Sequence, residues 1–219
     1  MKQECSNREK ILACAQRLFF EKGYDSVGVQ EIVDTAGITK PTMYYYFKSK
    51  QGLLECLLEQ GGHMMLEQLQ PMLTQDGEYM QVLEQLTNAY IALVAKNREF
   101  YLMLVSLFSS AKDNEAFRMA RPYVSKALGL LREFFERFSG RQGEFFSKAE
   151  YLAMSYIGSI NMFVMVSFER GMLDNTDVRE EFVKDICRQF SLNSNHNFRA
   201  SALGVDVEEA SLMRKKVNA

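Results

Sequence analysis

Thr39, Lys40, Pro41, Thr42, Tyr44, Tyr45, Lys48 and Lys50 crowd into one short stretch of this chain. Their chemistry is that of gripping a duplex. A lysine donates to the acceptors of guanine in the major groove, and a threonine offers both a hydroxyl and a methyl that meets the thymine methyl. Pro41 has only apolar contacts to give. Tyrosine hydroxyls and further lysines suit phosphates, which fix register while base edges choose sequence. Lys40 and Tyr44 are four residues apart, as are Pro41 and Tyr45, so on a helix each pair shares a face. Thr39 predicts the cap of that helix, because its hydroxyl accepts an orphan backbone N–H. Pro41 is tolerated in a first turn, where N–H groups have no helical partner. Met43 and Phe47, also four apart, predict the anchored face. Tyr46 lies beside them and fits either face.

The elements that must position this stretch are helical. Residues 7–22 carry Ile11, Ala15, Leu18 and Phe19 at helical spacing, with Ser6 or Asn7 as cap and Gly23 as stop. A short helix opening at Gly28 runs through Thr35, with Val29, Ile32 and Val33 inward, and Gly37 turns the chain. Two short helices joined by a tight glycine turn form the helix-turn-helix pattern. After Ser49 comes a long helix with Leu53, Leu54, Leu57 and Leu58 as its buried stripe. Gly61-Gly62 is expected to interrupt it, at a cost of about 2 kcal/mol relative to alanines, either as a hinge or as an ordinary boundary. The apolar pattern resumes until Pro71. Further helices are expected near 77–96, 98–111, 114–139, 146–171 and 176–191. No strand alternation and no internal repeat emerge. Residues 193–219 are polar, with one marginal helix at 205–217.

The fold class is therefore all-α. An N-terminal three-helix unit at 1–50 joins, through the connecting helix at 49–73, a larger helical domain at 51–192, with a polar tail at 193–219. The 219 residues carry a net charge of −2. Residues 1–50 hold eight Lys/Arg against six Asp/Glu, a net of +2, which leaves −4 for the rest. Nucleic-acid affinity must then come from a local patch. The four cysteines show no C-x-x-C pair and fit a reduced cytosol. Two histidines, His63 and His196, supply no metal site. No cofactor is implied. The polar N-terminus lacks a signal core, and the apolar stretch at 151–168 is broken by serines, Gly158 and Asn161, so a buried helix is expected rather than a membrane span. H-E-x-x-H, G-x-S-x-G and a glycine-rich phosphate loop are all missing, so an enzyme is not expected and no catalytic residue is assigned.

Residues 11–58 resemble the N-terminal domain of the TetR/AcrR family of bacterial transcriptional regulators. The resemblance rests on Ile11-Leu12-Ala13-Cys14-Ala15-Gln16-Arg17-Leu18-Phe19, Lys22-Gly23-Tyr24, Val29-Gln30-Glu31-Ile32, Ala36-Gly37-Ile38-Thr39-Lys40-Pro41-Thr42-Met43-Tyr44-Tyr45-Tyr46-Phe47 and Lys48-Ser49-Lys50-Gln51-Gly52-Leu53-Leu54. The chain departs from the family at Val27-Gly28, where a hydroxyl pair often caps the second helix.

The resemblance implies a cytoplasmic homodimeric repressor that leaves a palindromic double-stranded operator when a small, partly apolar molecule enters the C-terminal domain. The helices at 146–171 and 176–191 are the dimer candidates, with Ser155, Gly158, Ser159 and Asn161 for close approach, and Phe163, Val166 and Phe168 for an apolar interface. Intramolecular burial of the helix at 146–171 is the alternative. Pocket candidates are Tyr90, Phe100, Tyr101, Met103, Met119, Tyr123 and Met162, since methionine repacks readily. The same stripe also fits plain core. Arg98, Arg118 or Arg121 can orient an anion. A regulator without an effector, whose C-terminal domain only dimerises or meets a protein partner, is the competing reading.

Overall fold

A computed structural model of the chain describes residues 6–139 and 148–191. Nine helices follow one another among them: α1 (Asn7–Lys22), α2 (Val29–Ala36), α3 (Lys40–Phe47), α4 (Lys50–Thr74), α5 (Tyr79–Lys96), α6 (Arg98–Phe108), α7 (Glu115–Ser139), α8 (Lys148–Glu169) and α9 (Thr176–Gln189). The expected tail and its marginal helix lie outside the described residues.

Local chemistry sets most boundaries. Ser6 and Glu9 form a reciprocal capping box at the start of α1, satisfying two orphan donors. Gly23 ends α1 at φ +80° and Gly37 ends α2 at φ +66°, a region open to glycine because it has no Cβ. Thr39 caps α3 by accepting from the Thr42 N–H. Ile11, Ala15, Leu18 and Phe19 of α1, Ile32 and Val33 of α2, and Met43 and Phe47 of α3 meet in one apolar core with Leu53, Leu54, Leu57 and Leu58 of α4. Val29 is only partly buried at the edge of this core.

The break between α3 and α4 is sharp. Lys48 adopts φ +65°, unusual for a residue with a side chain. A Cβ at Gly52 would lie 2.2 Å from the Phe47 carbonyl oxygen, so the start of α4 passes over the end of α3 only because that atom is missing.

Two expectations about α4 and α8 fail. α4 runs unbroken through Gly61-Gly62 and through Pro71 for 25 residues, about 37 Å at 1.5 Å per residue. The glycines are close-approach points. A Cβ on Gly61 would sit 2.3 Å from the Phe100 ring of α6, and one on Gly62 would sit 2.4 Å from the Tyr123 ring of α7. Ring packing from two other helices offsets the local propensity cost. α8 is not enclosed either. Ala149, Ala153, Tyr156, Ile160, Val164 and Ser167 form its buried stripe, but only 28% of its most apolar window is buried. By length and composition alone it is a helix capable of crossing a membrane. Its inner face instead packs mainly on α7, with Tyr156 against Phe135 and Phe190.

Candidate nucleic-acid interface

The outer face of α3 is a row of exposed groups on an anchored helix. Met43 is fully buried and Phe47 is 5% exposed, which turns Lys40, Pro41, Tyr44 and Tyr45 outward. Tyr45 is 74% exposed and Tyr44 43%. Tyr46 is exposed rather than core, its ring edge-on to Tyr45 at 5.1 Å. Lys40 meets no carboxylate among the described residues and is free to donate outward. Thr42 is half-buried, and its hydroxyl lies 2.9 Å from that of Thr39. The Thr42 methyl and the second lone pair of its oxygen remain for a partner. Lys48 bonds back to the Tyr45 carbonyl at 3.3 Å and stays exposed at the turn.

Lys50 stands apart from the others. Its ammonium donates to the carbonyls of Tyr24 at 3.0 Å and Val27 at 3.1 Å. It also sits 4.1 Å above the Tyr24 ring, a cation–π distance. Two of its three N–H groups are thus used inside the protein, on the corner between α1 and α2. A reading of adjacent residues sees only a positive charge at a helix start. The useful signal was the aromatic Tyr24 directly after the helix-ending Gly23. Gly28 caps α2 with no side-chain hydrogen bond, as expected from the missing hydroxyl.

The pocket candidates fall into three groups. Tyr90 of α5 and Phe100, Tyr101 and Met103 of α6 are all buried. The Tyr90 and Tyr101 hydroxyls are 3.5 Å apart, and Tyr101 donates to the Asn161 side-chain oxygen. Burial pushes both phenols above their ordinary value. Met119 and Tyr123 instead line a cleft of about 490 Å³ between α4 and α7, with Gln51, Glu55, Leu58, Glu115, Arg118 and Pro122. Burial, then the carboxylates of Glu59 and Glu55, push the Tyr123 phenol up. Met162 belongs to neither group: it is 62% exposed on the outside of α8.

That outer face holds most of the dimer candidates. Ser155, Gly158, Ser159, Met162, Phe163 and Val166 border an open groove of about 800 Å³, where Phe163 stacks on Phe182 of α9 at 3.8 Å. Two candidates turn elsewhere. Asn161 faces inward to Tyr101, because a phenol there needs an acceptor. Phe168 packs edge-on against Phe20 of α1 at 5.7 Å. Among the arginines, Arg98 pairs with Asp174 at 2.9 Å, and only Arg118 borders the cleft.

Two short helices at a glycine turn, the second anchored by its inner face and bare on its outer one, define the helix-turn-helix class of regulators. A family model described as "Bacterial regulatory proteins, tetR family" matches residues 11–57. The HTH-type transcriptional regulator YvdT of Bacillus subtilis is 30% identical over 125 residues, which is 57% of this chain and 64% of that relative. The chain thus aligns with less than two thirds of this relative's length. The crystal structure of the MbdR regulator from Azoarcus sp. CIB superposes with a TM-score of 0.71 at 18% identity, covering 85% of this chain and all of that one. AibR in complex with isovaleryl coenzyme A and operator DNA superposes with a TM-score of 0.65 at 19% identity, covering 83% and 96%. These two show the shared fold. Residues 11–57 thus carry the TetR-family segment, and the described chain as a whole shares its fold with these regulators.

Proposed function

We propose that this protein is a sequence-specific DNA-binding transcriptional regulator of the cytoplasm, a homodimeric repressor that leaves its operator when a small molecule binds. The observation that carries the reading is the bare outer face of α3, with Lys40, Pro41, Thr42, Tyr44 and Tyr45 held out by the buried Met43 and Phe47. Residues 1–50 are the DNA-binding part and 51–192 the regulatory part, with α4 running from one into the other. Lys40, Pro41 and Thr42 meet base edges; Thr39, Tyr44, Tyr45 and Lys48 meet the backbone.

Dimerisation through α8 and α9 draws support from the methionine-rich face along α8 and the turn after it. Met162, Met165 and Met172 are 62%, 47% and 46% exposed beside the groove at Phe163 and Phe182, and exposed apolar patches of this kind mark interaction sites. Two copies would present two α3 helices to half-sites about one helical turn, roughly 34 Å, apart. The effector reading draws support from the cleft between α4 and α7, whose volume falls in the range of small-molecule sites, and from the acyl coenzyme A in the AibR complex. The competing reading, a regulator without an effector, draws support from Tyr90, Phe100, Tyr101 and Met103, which are buried in the core at 6% exposure or less.

The test is selection of bound fragments from a genomic library, followed by binding of the recovered fragment at several salt concentrations. A palindromic site whose affinity falls steeply with salt is expected. Lys40→Ala and Thr42→Ala should change base preference; equal loss on recovered and random DNA would remove them from base reading.

A further inference from the structure

The corner at residues 24–28 sets where α2 begins, and α2 leads through the Gly37 turn into α3. The corner closes one turn of its own, the Val27 N–H donating to the Tyr24 carbonyl at 3.3 Å, and Gly28 caps α2 without a side-chain bond. It is also fastened from two directions. From the start of α4, Lys50 reaches the carbonyls of Tyr24 and Val27 and covers the Tyr24 ring. From the junction of α6 and α7, two side chains reach it. The Tyr24 hydroxyl donates to the carboxylate of Glu115, the first residue of α7, at 3.1 Å. The Asn114 amide donates to the Asp25 carboxylate at 2.6 Å, while its oxygen accepts from the Ala116 N–H at 2.7 Å. Tyr24 is the hub of this joint. It is 6% exposed, and its ring also packs edge-on against Phe19 at 5.1 Å.

We propose that Lys50 and Tyr24 are positioning residues for DNA reading: Lys50 fastens the α1–α2 corner to the start of α4 and Tyr24 fastens it to the first turn of α7, so that the placement of α7 governs how α3 is presented. The proposal rests on the DNA-binding reading above and names the joint through which the regulatory part acts on it. Lys50 is suited to this because an ammonium with two carbonyls and an aromatic face has most of its charge-satisfying contacts inside the protein. Asn114 is suited because one amide ties Asp25 to the α7 backbone. α7 is also the wall of the cleft that holds Met119 and Tyr123, and its Tyr123 ring rests on Gly62 of α4. A displacement of α7 therefore pulls on the corner directly, besides whatever passes along α4.

The experiment compares the full-length chain with Lys50→Met, Tyr24→Phe and Asn114→Ala. Affinity for the fragment recovered by selection is read against salt concentration, and amide hydrogen exchange is followed in the free protein. A lysine that neutralises a phosphate contributes about 0.9 to the salt slope. Lys50→Met is expected to weaken operator binding about tenfold with the slope nearly unchanged. Tyr24→Phe and Asn114→Ala, which change no charge and do not belong to α3, are expected to weaken it about threefold or more. In both, exchange should quicken across residues 24–47 and stay unchanged across 148–169. A slope reduced by about one unit in Lys50→Met, with the other two variants at wild-type affinity, would overturn the proposal and make Lys50 a phosphate contact. Unchanged exchange at 24–47 in Asn114→Ala would overturn it as well. Should the wild-type chain bind no DNA, the functional reading fails, and the exchange measurement still decides whether the joint exists.

Discussion

At Gly61 the absent methyl group matters because the Phe100 ring fills its space. Phe100 is 3% exposed, so it has nowhere to move. Alanine improves helix propensity by about 1 kcal/mol, while overpacking a tight core costs roughly 1–3 kcal/mol. Gly61→Ala should therefore destabilise the protein on balance. Gly62 meets the same kind of obstacle in Tyr123, but that ring borders the open α4–α7 cleft and is only partly buried. It can swing outward, so Gly62→Ala should be close to neutral or slightly stabilising. Thermal unfolding of the two variants checks the order, and Phe100→Leu should recover part of the loss in Gly61→Ala. Equal melting temperatures for both single variants would contradict this account. The glycine pair also shows where local reading stops. Propensity along one helix sees two weak residues; it does not see a ring arriving from α6 and another from α7. Lys50 is a similar case, since its carbonyl partners lie 26 and 23 residues earlier.

Helix boundaries were far more legible, because their causes are local. Gly23, Gly37, Thr39 and Ser49 each end or cap a helix where expected, by positive φ or by a side-chain cap. Met43 and Phe47 were legible as the anchored face of α3 from their spacing alone. α8 was harder, because its apolar residues surround the helix and do not say which side is covered. The fold covers one side with α7 and leaves Met154, Met162 and Met165 exposed. If this outer face pairs with its copy, charge placed there should separate the subunits without unfolding them, since Met162 makes little use of its own core. Met162→Glu is expected to yield a folded monomer by light scattering, with unchanged helical circular dichroism. Its affinity for the whole palindrome should fall to near that for one half-site, because the second contact is no longer intramolecular. A dimer of undiminished stability would place the pairing surface elsewhere.

Over the whole molecule, the part that follows α4 is built around buried phenols. Tyr79, Tyr90, Tyr101 and Tyr156 lie in its core, joined by bonds such as the Tyr79 hydroxyl to the Phe190 carbonyl and the Tyr156 hydroxyl beside Thr87. Burial pushes all four above the ordinary phenol value of 10.0. Tyr24 at the joint is raised too, by burial and then by the Glu115 carboxylate. Cys187 among them is pushed up from 9.0 to about 11, first by burial and then by the Glu84 carboxylate. Each of these groups keeps its proton in the folded state at a pH where the unfolded chain has released it. The unfolded state then binds fewer protons, so stability falls as pH rises. Their contribution is complete below the ordinary thiol and phenol values of 9.0 and 10.0, and the loss through Cys187 runs from 9.0 to about 11. Unfolding in urea should give a flat stability up to about pH 9 and a decline above it. Tyrosinate absorbance from the buried phenols should appear only as helical circular dichroism is lost. Ionisation of these phenols in a chain that stays helical would show that the core admits water and that they do not hold the fold against alkali.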